Sequence, residues 1–327
     1  MIDPTMLASL SNLLIYTAIA VYAVAFLTYA GETALRTTRR STAPAYLGVG
    51  PGGPEPSPEP LSSEPLLPDP HDRIRQRADW LGAAGTNVTI VGLALIVTAT
   101  VARGIAAQRA PWGNMFEFAL VGAVALTAAY LAFLARRPVR AFGVWIVGLV
   151  LLALGMAVTV LYTPVDALVP VLNSYWLVIH VAAAITGGGI FSVGAVATGL
   201  FLVRDRADRR GPTSGRRRYA DALPTSTTLA QVMHAAHMLA FPIWTFAVLA
   251  GAVWAENSWG RYWGWDPKET WAFITWVLYA AYLHAESTAG WRGRRAALFA
   301  LGGYAAFLFN FFGVNLWISG LHSYAGV

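Results

Sequence analysis

Six histidines and a crowd of tryptophans are the residues of this chain whose types could do chemistry. The tryptophans gather in WGRYWGWDPKETW, residues 259–271, where Trp259, Trp263 and Trp265 share a short polar break with Arg261, Asp266 and Lys268. Indole rings beside Gly260 and Gly264 can lie against a large planar molecule, because glycine lets a ligand approach the backbone closely. Arg261, Lys268 and the open N–H groups of a helix starting at Asp266 favour an anionic group at the same place. Haem meets both conditions, with its ring on the aromatics and its propionates toward the cations.

Haem also needs axial ligands, and imidazole is the common one. His180, in NSYWLVIHVAAAI, lies a few residues inside one end of an apolar run, and His322, in ISGLHSYAGV, follows the end of the last run. Both fall on the same side of the membrane as the Trp segment, by the alternation of spans described below. His284, in LYAAYLHAES, is different: at 1.5 Å per helical residue it lies roughly 20 Å deeper than Trp271, so haem there would be a second one. His234 and His237 are three apart on one helix face and could serve a metal or partner His284. No carboxylate or cysteine accompanies them, and a structural role suits them better. His71 falls in a polar linker. An interfacial aromatic belt explains Trp254, Trp271 and Trp276 as well as a binding surface does, but three further tryptophans inside the connecting loop exceed what a belt needs.

The elements that must position these residues are membrane helices. The chain has 327 residues, 56% hydrophobic and 12% charged, with a mean hydropathy of +0.52, outside the range of soluble domains. Runs long enough to cross a hydrocarbon layer of about 30 Å occur near 10–30, 80–102, 113–135, 141–161, 175–203, 230–254, 271–286 and 296–318. The expected fold is all-α: a polytopic membrane protein of about eight transmembrane helices. Of the 23 Lys and Arg, all but Arg103, Arg109, Arg261 and Lys268 fall in alternate connections. Basic residues are retained in the cytoplasm, so both termini and the Trp loop are expected to face outward from the plasma membrane. The basic pI near 9.7 is then a topological signal and calls for no nucleic acid.

The first span, 1–30, lacks a basic n-region and is expected to be a retained helix rather than a signal peptide. Residues 31–79, rich in Pro, Gly, Ser and Glu, are expected to be a disordered cytoplasmic linker, and 80–327 a seven-helix membrane domain carrying the loop at 255–270. Asp266, Pro267 and Glu269 form a helix-start signal: an N-cap, a proline at the first helical position and a capping-box acid. The chain has no cysteine, so any thiol chemistry belongs to a partner.

WGRYWGWDPKETW resembles the WWD signature, WGxxWxWDxxE, of haem-handling proteins in cytochrome c maturation. The longer block from WAENSWGRYWGWDPKETW through GVNLWISGLHSY resembles the CcsA (ResC) family of the System II pathway. The likeness is dense over 230–327 and also touches PWGNMFEF at 111–118 and NSYWLVIH at 173–180. The resemblance implies that haem b moves from the cytoplasmic side to the outer face, is held at the Trp surface, and is joined there to an apocytochrome c CxxCH motif. The chain would be a subunit of a cytochrome c haem lyase (holocytochrome c synthase) that acts by orienting haem. By position, His180 and His322 match the family's external pair and His284 its membrane-embedded histidine. The second embedded ligand is implied to come from a CcsB (ResB)-type partner, with His237 an intrachain alternative. Glu117 falls on a family-like position with no assigned role, and Asp266 suits capping better than proton transfer. The rivals are a b-type cytochrome for electron transfer, a System I protein with the same signature, and a scaffold whose tryptophans only anchor it.

Overall fold

A computed structural model describes residues 3–39, 70–165, 174–210 and 217–322. Among these residues the structure is helical: α1 (Pro4–Arg39), α2 (Pro70–Ala107), α3 (Met115–Leu134), α4 (Gly143–Thr159), α5 (Tyr175–Arg210), α6 (Arg217–Ala222), α7 (Ser226–Trp259), α8 (Pro267–Ser287), α9 (Arg294–Leu308) and α10 (Val314–Trp317). A π-turn, Phe309–Gly313, joins α9 to α10. Helix extends into both edges of the expected linker, since α1 runs on to Arg39 and α2 begins at Pro70. Residues 40–69, the body of that linker, lie outside the described residues.

Seven helical stretches are long and apolar enough to cross a membrane. They carry seven of the eight expected spans; the remaining one, 271–286, is α8, whose tryptophans, tyrosines and His284 lower its hydropathy. α8 still runs the depth of the bundle. Its first turn bonds to Asn315 of α10, through Lys268 Nζ at 2.7 Å, while its far end turns into α9, where Arg294 lies 3.6 Å from Asp205 of α5. α8 and the α9–α10 stretch are therefore antiparallel neighbours across the same layer. α1 pairs with α2, α5 with α7, and α3 packs on both α4 and α5. Large apolar side chains such as Leu27, Leu152, Leu249 and Leu298 are exposed, as expected of a bundle whose solvent is lipid.

The basic connections meet at one end. Glu32 accepts from Arg36 at 3.0 Å and from Arg140 at 2.9 Å, and both arginines also reach Asp79. Trp145 of α4 donates to Tyr219 of α6 at 2.7 Å, and Arg204 lies 3.7 Å from Asp221. At the opposite end lie Arg103, Arg109, His180, the loop after α7 and His322. The alternation read from the arginines is thus the alternation of the fold.

Candidate functional site

α7 ends where Gly260 takes a left-handed conformation, φ 69°, and its N–H bonds back to Glu256, the ordinary glycine stop of a helix. Six residues later Asp266 caps α8, with Pro267 in the first turn and Glu269 completing the capping box. Glu269 Oε2 accepts from the amides of Gly264 at 2.9 Å and Asp266 at 3.0 Å. The short loop is thereby tied to the helix it starts.

Asp266 also does something the local pattern did not announce. Its Oδ1 accepts from the amide of Leu321 at 2.7 Å, and its Oδ2 lies 2.8 Å from His322 Nδ1. Gly320 makes this possible, because a Cβ there would stand 2.8 Å from Asp266 Oδ1. The cap of α8 therefore holds the histidine that follows α10. Burial alone would raise the Asp266 carboxyl; hydrogen bonds from His322, Leu321 and Lys268 outweigh it and bring the pKa down to about 2. Burial pulls the His322 imidazole below its ordinary range against the opposing pull of Asp266. At neutral pH the pair is a carboxylate and a neutral ring that donates from Nδ1, which puts the ring's lone pair on Nε2.

His180 is held in the same fashion from α5. Its Nδ1 lies 2.8 Å from the carbonyl of Ala247 on α7; a carbonyl can only accept, so Nδ1 carries the proton and Nε2 the lone pair. Gly251 leaves room for the ring, since a Cβ there would meet it at 2.7 Å. Trp254 joins the two histidines: its ring stacks on His180 at 6.2 Å with 4° between planes, and lies 5.8 Å from His322. Trp259 stands edge-on to His322 at 5.0 Å.

Both histidines, Trp254, Trp259, Trp263 and Lys268 line one cavity of about 610 Å³, within the usual range for a small-molecule site. Its wall runs down α5 from Leu177 to Ser192, and apolar residues of α3, α4, α9 and the π-turn complete it. At the π-turn, Asn310 enters the wall with its Oδ1 unpartnered, in keeping with the tendency of π-turns to mark functional positions.

Residues 112–322 match the family model described as Cytochrome C assembly protein. The chain is 32% identical over 301 residues to the cytochrome c biogenesis protein CcsA of Crocosphaera subtropica, covering 75% of this chain and 88% of the relative. It is 33% identical over 290 residues to CcsA of Synechococcus elongatus, covering 75% and 87%. The chain belongs to the CcsA family. It is a multi-pass membrane protein of cytochrome c biogenesis. Its fold is also that of a solved cytochrome c haem lyase, CcmF, with a TM-score of 0.59 at 19% identity, over 95% of this chain and 47% of that one.

The remaining expected site residues of this CcsA-family chain lie elsewhere. Trp265 is 65% exposed and packs edge-on against Trp263 and Phe273, off the cavity wall. Arg261 is not on the cavity wall; its guanidinium lies against Gly264 of the loop, 6.0 Å from the Trp259 ring and 3.6 Å from Glu269. His284 is exposed near the arginine end of α8, whereas His237 is buried in the core against Thr198. Glu117 gains a clear place. It is fully buried and accepts from Arg103 Nε at 2.9 Å, Arg109 Nη1 at 2.6 Å and the Gly113 amide at 2.7 Å. Reasoning from sequence missed Trp254 as the link between the histidines and Asp266 as a partner of His322. It could have noticed that the capping aspartate and His322 both fall at the same end of the bundle.

Proposed function

We propose that this chain holds haem b between His180 and His322 and presents it, at the outward face of the plasma membrane, for covalent attachment to apocytochrome c. The observation that supports this most directly is the matched preparation of the two rings: each has Nδ1 engaged by an oxygen acceptor, and both border one aromatic cavity around Trp254. Imidazole ligands are commonly oriented through the nitrogen that does not bind metal, by a carbonyl or a carboxylate, and this site contains one of each. The residues present fit the group. His180 and His322 would hold the iron, Trp254, Trp259 and Trp263 would bear on the macrocycle, and Lys268 stands at the wall as a counter-charge for a propionate.

When bound, haem supplies the vinyl groups to which the thiols of a CxxCH motif add. The chain's own part is orientation and exclusion of water, effects that convert an encounter into a near-attack arrangement. Asp266 keeps His322 in one tautomer, and Ala247 does the same for His180. As a System II protein the chain would work beside a CcsB (ResB)-type membrane partner. His284 suits that arrangement, because it faces outward from α8 while His237 faces the core.

Substitution of His180 or His322 by alanine tests the reading. Each is expected to abolish holocytochrome c formation in cells and to change the absorption of co-purified haem, with partial recovery in added imidazole. Unchanged yield and spectrum in both variants would sink it.

A further inference from the structure

A buried polar atom left without a hydrogen-bond partner costs about 1–3 kcal/mol, so several at one place call for an explanation. His237 Nδ1 and the hydroxyls of Tyr279 and Tyr282 are three such atoms. All three residues are 0% exposed, and the His237 ring lies 5.1 Å from the ring of Tyr279 and 4.9 Å from that of Tyr282. Their hydrogen-bonding characters are complementary. Thr198 donates its hydroxyl to the carbonyl of Gly194 at 2.7 Å, so it can only accept from His237 Nε2, 3.1 Å away. Nδ1 is then a bare acceptor, and the two tyrosines are donors with nothing to receive them.

We propose that α5, α7 and α8 enclose a hydrated polar chamber here. Ordered water accepts from Tyr279 and Tyr282 and donates to His237 Nδ1, giving each of the three atoms its missing bond. The chamber borders the cavity floor: Phe191, next to Ser192 on α5, stacks on Tyr279 at 3.7 Å, and a Cβ at Gly194 would stand 2.5 Å from the His237 ring. That floor is itself polar, because Tyr304 donates to Ser192 at 3.1 Å and both residues line the cavity. The inner half of the bundle is therefore wet at a defined point.

Buried tyrosines elsewhere supply the control. Tyr22 donates to Thr127 at 3.2 Å and Tyr130 to Tyr29 at 3.3 Å, and both are as buried as Tyr279. The experiment is X-ray radiolytic hydroxyl labelling of the full chain in lipid nanodiscs, read residue by residue by mass spectrometry. Water bound inside a protein generates radicals where it sits, so Tyr279, Tyr282 and His237 are expected to label several-fold faster than Tyr22 and Tyr130. Equal rates would overturn the chamber. A second arm uses Tyr279→Phe combined with Tyr282→Phe, checked for an unchanged unfolding midpoint. His237 labelling is expected to fall to the level of Tyr22, and persistence at the wild-type rate would also overturn the proposal.

Discussion

Glu117 and Asp266 are buried carboxylates at the same end of the bundle, 0% and 7% exposed, and each sits at the start of a helix. Glu117 is closed in by cations. Arg103 and Arg109 both bond to it, and Arg103 reaches on to the carbonyl of Thr163, so the carboxylate ties α3 to the end of α2 and to the segment after α4. Asp266 pairs with no arginine among the described residues. It accepts from two backbone amides and one imidazole, and the imidazole borders the cavity. One carboxylate holds helices together, and the other sets the protonation and pose of a ring. Ion pairing in the first case and hydrogen bonding to a neutral titratable group in the second account for the difference.

The contrast can be broken most severely at Glu117. Glu117→Ala strands two arginines, one of them 1% exposed, and loss of one partner of a buried pair costs about 3–5 kcal/mol. Unfolding of the purified variant in detergent is expected at a clearly lower temperature, with the proposed haem binding lost only as a consequence. A variant that melts as the wild type does would mean that the hub is not structural.

Asp266→Asn should behave in the opposite way. The amide retains the acceptor for Leu321 but turns a donor toward His322, which drives the proton to Nε2 and removes the lone pair that the proposed haem ligation would use. Loss of such an outer-shell partner typically costs 10–100-fold, that is roughly 1.4–2.7 kcal/mol, in metal affinity. Haem titration of the folded variant checks it, and wild-type affinity would confine Asp266 to capping.

These two residues also show what the sequence could disclose. Asp266 as a cap was legible, because the capping box is written in four consecutive residues, Asp266 to Glu269. Its bond to His322 was not, since 56 positions separate them and only the antiparallel return of α9 and α10 brings them together. The shared end of His180, His322 and the Trp loop followed from counting apolar runs and arginines. The role of Glu117 did not, because its two arginines read simply as the few basic residues on the outward side. Helix count was legible from hydropathy, yet α8 shows the limit of that signal: the aromatic residues that make it useful also make it look less apolar.

Acid separates the two oxygens of the comparison more gently. The folded state holds the His322 pKa below its ordinary 6.5, so the neutral ring is favoured and its contribution is complete above about pH 6.5 and declines as pH falls below that. Asp266 has the carboxylate pattern: its contribution is present above its ordinary 3.8 and is lost as pH falls toward 2. Haem occupancy is therefore expected to weaken below pH 6.5, as protons compete for Nε2, and to fall separately above about pH 7, where Lys268, its pKa lowered to about 7 by burial against the opposing pull of Asp266, loses the charge that would face a propionate. In Asp266→Asn the acid limb should move to lower pH, because the carboxylate that raises the His322 pKa is gone. An absorption titration of both proteins reads this, and coincident acid limbs would uncouple the pair.

The smallest expected effect divides the tryptophans themselves. Trp259 stands 5.0 Å from His322, and its replacement by alanine removes one wall of that ring's setting, so the haem spectrum should shift along with affinity. Trp265 is exposed, has a positive φ of 58°, and touches the cavity only through Trp263. A surface change of this kind moves stability by no more than about 0.5 kcal/mol. Trp265→Ala is therefore expected to leave both the haem spectrum and the melting temperature in place, while lowering holocytochrome yield only where an incoming polypeptide needs that exposed ring. Equal spectral shifts in the two variants would extend the haem surface outward over the loop and make Trp265 a ligand contact in its own right.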